Sequence, residues 1–374
     1  MSMRSRYSPL PIQSLKSKFL SVFGLLTMLA GWHACGAALG TMTANQTPSV
    51  PTQDVVLIPA QDAGGVTGRT VRVYIHYPEG RADAVKASTG LMLSLHNWGG
   101  SGFSGAPDPD MLAKRYDVVA IGVDYFQSGN EHANLPYDFG LYQAGDALRG
   151  LYYVFQSLTN RGIVFDHTRI YVTGGSGGGN VSLMANKLAP HTFACVIDIS
   201  GMASLTDDIA FNLPGGSSLN ARYSKVPIPP SFLSKSMQEL RDLGNPTHLA
   251  LAAKWKNSAK IVVIHGQDDD ACLCVDKQRA VGAMQQAGLD VTPHYIGKQD
   301  IDGAIIMDSG HAIGNRTELL ERFAGTYLAP SSSKLCRLQG PTDFERQTIL
   351  EFPTSDGICR ISYAKGWPEI TLNK

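Results

Sequence analysis

The 374-residue sequence has no excess charge of either sign. Lys plus Arg and Asp plus Glu each total 32, and no cluster or stripe of basic residues stands out. This argues against nucleic acid as the main partner. Metal-binding cysteine spacings are also missing. Cys272-Leu273-Cys274 is not a Cys-x-x-Cys, and no Cys/His pairs stand at zinc-finger spacing, so a structural zinc site is not expected. The N-terminal apolar stretch, residues 19–30, is about a dozen residues long, short of the roughly 20 that span a bilayer. No internal repeat is visible. With 43% hydrophobic and 17% charged residues, the chain can bury a large core and does not have the composition of a disordered protein.

The N-terminus differs from the rest. Arg4, Arg6, Lys16 and Lys18 precede the apolar stretch, and the small residues Gly31, Ala34, Cys35, Gly36, Ala37 and Ala38 follow it. This is the layout of a secretory signal peptide over residues 1–38, which implies an exported protein, periplasmic or extracellular, with no stable membrane span after cleavage. A retained anchor is the alternative. Cys35 also raises lipidation, although Trp32-His33-Ala34 is a poor match to the small apolar residues that usually precede a lipidated cysteine. Cleavage removes four positive charges and no negative ones, leaving a net charge near −4. It also leaves five cysteines, an odd number. Cys336 and Cys359 are expected to staple the C-terminal tail.

Residues 39–53, rich in Thr, Pro, Gln and Ser, read as a linker. Strand-like and helix-like segments then alternate. Strands are expected at 55–58, 71–77, 91–95, 117–125, 169–173, 195–199 and 260–265. Helices are expected at 109–116, 137–158, 181–188, 275–287 and 317–327. The alternation predicts an α/β domain over 54–329, with a mostly parallel sheet flanked by helices. Ligands in such sheets bind at the C-terminal ends of the strands. Residues 203–257, with Pro214, Pro227, Pro229 and Pro230 and a helix near 234–243, are too long for an ordinary connection. They read as a cap insertion after the sixth strand. Residues 330–374 read as a small C-terminal extension of strands.

The strand at 169–173 runs into Gly174-Gly175-Ser176-Gly177-Gly178-Gly179. No lysine follows, as a phosphate-binding loop requires, and the glycine spacing does not fit a dinucleotide fingerprint. The stretch does fit G-x-S-x-G, in which a serine sits on a strained strand-to-helix turn. Serine needs a base to take its proton as it attacks. His311, before the last helix, is the candidate base. An acid must orient that imidazole. Asp269 is the candidate, with its neighbours Asp268 and Asp270 open and Asp198 an outside choice. The oxyanion of a tetrahedral intermediate needs donors, each worth roughly 3 kcal/mol. The Trp98 backbone N–H, with Asn97 as alternate, and the Gly177 N–H are the candidates. His96 and His265, at strand ends, are expected to order their loops rather than do chemistry.

Together, His96-Asn97-Trp98-Gly99-Gly100, the G-x-S-x-G turn, His265-Gly266-Gln267-Asp268-Asp269 and Gly310-His311 resemble the α/β-hydrolase superfamily over positions 55–328. Within it the chain is similar to secreted esterases and polyester depolymerases, and to the catalytic domain of prolyl-oligopeptidase-like peptidases. The resemblance implies an α/β-hydrolase fold, and it selects Asp269 as the acid four residues after His265. Asn97-Trp98 replaces the His-Gly of many relatives, so Trp98 is expected to line the acyl pocket. Fewer than 20 residues separate the signal from the first strand, too few for an N-terminal propeller. The expectation is an exported serine esterase acting on small or polymeric esters without metal or organic cofactor. A serine peptidase with the same residues and a non-catalytic binding protein on this scaffold are the alternatives.

Overall fold

The computed structural model describes residues 40–41 and 55–373. The signal peptide read at 1–38, including Cys35, lies outside the described residues, as does nearly all of the 39–53 linker. The main sheet has the order β1-β2-β3-β5-β4-β6-β7-β8-β9. Its strands are β1 (Gly40–Thr41), β2 (Val55–Pro59), β3 (Thr70–His76), β4 (Gly90–Leu95), β5 (Val118–Asp124), β6 (Ile170–Gly175), β7 (Cys195–Ile199), β8 (Lys260–Gly266) and β9 (Val291–Ile296). β3 runs antiparallel to β2 and β5, while β4 through β9 are parallel. The central strands β4, β6 and β7 are buried at every position, as expected of a sheet covered on both faces.

Helices α1 (Pro109–Tyr116), α2 (Leu141–Asn160), α3 (Gly177–Leu188), α4 (Asp207–Phe211), α5 (Lys235–Leu240), α6 (Pro246–Lys254), α7 (Cys274–Gln286), α8 (Arg316–Leu328) and α9 (Asp343–Arg346) connect and flank the strands. α1 and α8 are joined by an Arg115–Glu321 ion pair, and α2 packs on α3. Capping follows the sequence. Asp108, Asn245 and Asn315 each accept a backbone N–H of the helix they open.

Two strands were not foreseen: β1, which falls in the expected linker, and β9. β9 contains Pro293 and four half-exposed positions, so it lacks the apolar run of the buried strands. Among the described residues it pairs only with β8, and proline is tolerated on such an edge.

The segment between β7 and β8 divides in two. Its first part packs Leu205, Ile209, Ala210, Ala221 and Leu233 with Tyr137 and Phe139 into a second core, against which Trp98 lies. Its second part, with Leu240, Leu243, Leu249 and Ala252, joins the main core. α6 therefore serves as a crossover helix between parallel strands. A buried ion pair fixes this segment: Arg241 Nη2 donates to Asp138 Oδ1 at 2.9 Å.

The tail forms an antiparallel sheet of β10 (Ile349–Thr354), β11 (Gly357–Ser362) and β12 (Glu369–Asn373). Its inward residues Leu350, Phe352, Ile361, Tyr363 and Ile370 are part of the main core. The expected Cys336–Cys359 staple does not form, and the five described cysteines are free. Cys336 instead contacts Cys195 at the start of β7, while Cys359 is buried on β11 with Phe352 as its cross-strand partner.

Arg241→Met strands the Asp138 carboxylate in the interior, so the variant should lose about 3–5 kcal/mol in urea unfolding.

Candidate active site

Ser176 sits between β6 and α3 with φ +55° and ψ −119°. Positive φ is uncommon for a residue with a side chain, and a strained conformation of this kind costs on the order of 1–3 kcal/mol. The neighbouring glycines permit the turn. A Cβ on Gly174 would stand 2.4 Å from the Gly178 carbonyl, and one on Gly178 would stand 2.1 Å from Leu95 O. β6, the turn and β4 therefore touch backbone to backbone. Hydrogen bonds from Ser176 N to Ile199 O (2.8 Å) and from Asn180 N to Ser176 O (3.1 Å) hold the serine in place.

Three side chains distant in sequence meet there. His311 Nε2 lies 2.9 Å from Ser176 Oγ, and His311 Nδ1 lies 2.8 Å from Asp269 Oδ2. The second oxygen of Asp269 accepts the N–H groups of Ala271 (2.9 Å) and Cys272 (2.8 Å), so the carboxylate is fixed by the loop after β8. Asp269 is fully buried, whereas the His311 side chain is 29% exposed. A buried acid and a partly exposed imidazole beside a serine can relay a proton between the hydroxyl and a bound molecule.

The alternative acids lie elsewhere. Asp268 is exposed and accepts Ser309 Oγ at 2.7 Å, and Asp270 is exposed on the same loop. Asp198 pairs with Lys277 in the interior and accepts Gly201 N at 2.9 Å. His265 donates from Nε2 to Cys272 O at 2.6 Å and stands 3.5 Å from Asp269 Oδ2. It is fully buried and supports the acid's loop. His96 donates from Nδ1 to Asn97 O (2.7 Å), contacts Ser128 Oγ through Nε2 (2.6 Å) and stacks on Tyr125. It too orders a loop.

Trp98 N lies close to Gly177. A Cβ on Gly177 would stand 2.6 Å from Trp98 N, and neither N–H has an acceptor among the described residues. The Gly177 N–H also opens α3, where the helix dipole favours negative charge. The alternate donor differs: Asn97 N is committed to Ser104 O at 2.9 Å, so its backbone cannot serve an oxyanion.

Asp269, Cys272 and His311 also bring one metal-ligand-type atom each within 4.8 Å of one another. The donor chemistry suits a proton relay better than an ion. Both Asp269 oxygens are already engaged, and burial pushes the Cys272 thiol well above its ordinary pKa, away from the thiolate a metal requires.

Two residues at this site are not marked in the sequence. The Tyr137 ring stacks on Trp98 with centroids 3.6 Å apart. Its buried hydroxyl lies 3.0 Å from the position of a Gly177 Cβ, and burial raises its pKa. Arg316, at the start of α8, lies against Gly175, the residue before Ser176. No local motif marks either one, because both arrive through packing between distant segments.

Residues 144–327 match the prolyl oligopeptidase family. No curated protein matches the chain. Among solved structures, the uncomplexed acylaminoacyl peptidase of Pyrococcus horikoshii is similar at 17% identity and TM-score 0.49, over 74% of this chain and 43% of that one. A Mycobacterium tuberculosis puromycin-hydrolyzing peptidase is similar at 16% identity and TM-score 0.46, over 70% and 38%. A thermostable esterase is similar at 16% identity and TM-score 0.40, over 70% and 58%. The chain thus spans less than half the length of these two peptidases.

Burial gives the loop histidine a pH signature. Desolvation lowers His96 to about 4, and His248, buried beneath β10, also to about 4. The unfolded chain takes up these protons near pH 6.5, the folded chain only near 4. Their contribution is complete above pH 6.5 and drains away as pH falls to 4, by up to about 3 kcal/mol for the more deeply buried His96. Urea unfolding at pH 7 and pH 5 should show this loss, and His96→Asn should flatten it.

Proposed function

We propose that this α/β hydrolase of prolyl-oligopeptidase type is a serine hydrolase that cleaves carboxylic esters. One observation carries the reading: the continuous chain Ser176 Oγ–His311–Asp269, with contacts of 2.9 and 2.8 Å, at the tip of a strained turn.

In this reading Ser176 Oγ attacks the ester carbonyl and passes its proton to His311 Nε2. Asp269 holds the Nδ1–H tautomer and stabilises the imidazolium. The developing oxyanion takes the N–H groups of Trp98 and Gly177. His311 then returns the proton to the departing alkoxide, and an acyl-enzyme forms on Ser176. Water attacks that acyl group by the same relay, releasing the acid and restoring the serine. The relay requires no metal or organic cofactor. The substrate is an ester, small or polymeric, with Trp98 and Tyr137 lining its pocket. Export rests on the layout of residues 1–38.

The peptidase alternative uses the same atoms and is favoured by the family match over residues 144–327. It demands more of His311, which must fully protonate an amine before it can leave. Side-by-side turnover of short-chain p-nitrophenyl esters and peptide p-nitroanilides separates the two, and faster anilide hydrolysis would overturn the ester assignment.

A fluorophosphonate probe should label the folded wild type at Ser176 and not Ser176→Ala. An unlabelled wild type would point to a binding protein on this scaffold. Asp269→Asn should lower kcat roughly 10⁴-fold by presenting the wrong tautomer, while Asp268→Asn and Asp270→Asn should stay within a few-fold.

A further inference from the structure

Gly175, next to Ser176, and Gly105 leave room for a cation. A Cβ on Gly175 would stand 2.2 Å from Arg316 Nη1, and a Cβ on Gly105 would stand 2.7 Å from the same atom and 2.9 Å from Asn97 Cγ. The guanidinium therefore lies between the residue that precedes Ser176 and the loop that carries Trp98. Gly105 and Ala312 on the flanking loops are exposed, and Arg316 itself is half-buried.

The guanidinium is under-used. Nη1 donates to Gly105 O, while Nε and Nη2 have no acceptor among the described residues. Arg316 also lacks a carboxylate within ion-pair distance there; of the buried cations, Arg241 and Lys277 each have one, and Arg149 and Arg169 instead spread their N–H groups over two or more backbone carbonyls, whereas Arg316 reaches one. Asp269 is the nearby acid, and its oxygens are taken by His311 and two backbone N–H groups. A partly desolvated cation without a counter-ion is costly. Its planar fork matches a carboxylate in geometry and charge.

We propose that Arg316 holds a carboxylate carried by the substrate, so that the preferred substrates are anionic esters with a carboxylate a few atoms from the scissile bond. This rests on the reading of Ser176 as the nucleophile. The carboxylate can sit on either side of that bond. Hemiesters of dicarboxylic acids carry it on the acyl side, and esters of hydroxybenzoic acids carry it on the alcohol side.

The test compares kcat/KM for three p-nitrophenyl or phenolic esters of similar size: p-nitrophenyl hemiglutarate, 4-butyryloxybenzoate and the neutral p-nitrophenyl butyrate. In the wild type, one of the anionic esters should exceed the neutral one. In Arg316→Gln that anionic-to-neutral ratio should fall about 10- to 100-fold, the worth of a charge-assisted hydrogen-bond pair. Arg316→Lys should recover part of it. Whichever anionic ester responds identifies the side. A ratio that is unchanged in Arg316→Gln, or a wild type that prefers the neutral ester over both, overturns the proposal.

A binding measurement separates this failure from failure of the hydrolase reading. Calorimetry of Ser176→Ala with monomethyl glutarate and with 4-hydroxybenzoate should detect an interaction that Ser176→Ala/Arg316→Gln lacks. Equal binding or none in both proteins overturns the carboxylate site, whether or not the wild type turns over esters. Displacement of the bound carboxylate by equimolar chloride would likewise reduce Arg316 to a non-selective anion contact.

Discussion

Ser176 is held at φ +55°, a conformation serine does not choose for itself, and the rest of the site follows from how that residue is held. The support comes from close approach of three backbones: the end of β6, the first turn of α3 and the end of β4. Gly174, Gly177 and Gly178 stand where these segments meet, each without room for a methyl group. The same approach brings Trp98 N close to Gly177. One covalent constraint, the absence of side chains at these positions, thus both permits the turn that carries the hydroxyl and lets Trp98 N approach it.

Behind the turn, the charges are arranged so that only one acid reaches the imidazole. Lys277 engages Asp198 in the interior, the first residue pinned by an ion pair and the second also receiving the Gly201 N–H. His265 bonds the Cys272 carbonyl and so holds the loop on which Asp269 sits. Asp269 then spends one oxygen on two loop N–H groups and presents the other to His311. A neutral histidine and backbone donors therefore set the geometry of a carboxylate that neither would position alone.

Much of this was legible in the chain. Glycines at Gly174, Gly177 and Gly178 stand out because only glycine fits a backbone contact, and that requirement is local. The continuous apolar strands β4, β5, β7 and β8 were visible for the same kind of reason: burial on both faces leaves no alternation to misread. The N-terminal turn of α3 was hidden by those same glycines, which look like a loop by propensity yet fold as helix from Gly177 onward. β9 was hidden because an edge strand with a proline has neither the alternating nor the continuous pattern. Tyr137 and Arg316 could not be found, because nothing near them in sequence tells which backbone they will face; Arg316 bonds Gly105 across 211 residues. The cysteine pairing failed on similar grounds. Cys336 and Cys359 share a tail, but the chain between them turns one toward β7 and the other into the β10–β11 pair.

The two extremities of the described domain are tied together. Arg149 on α2 donates to Pro59 O at the end of β2 and to Pro368 O just before β12, each within 2.9 Å, and Ile370 N donates to the side chain of Gln61 at 2.8 Å. During synthesis the first strands emerge long before residues 368–370 exist, so the end of β2 waits without these partners. The sheet can begin to assemble early, but this clasp closes only after nearly the whole domain has left the ribosome.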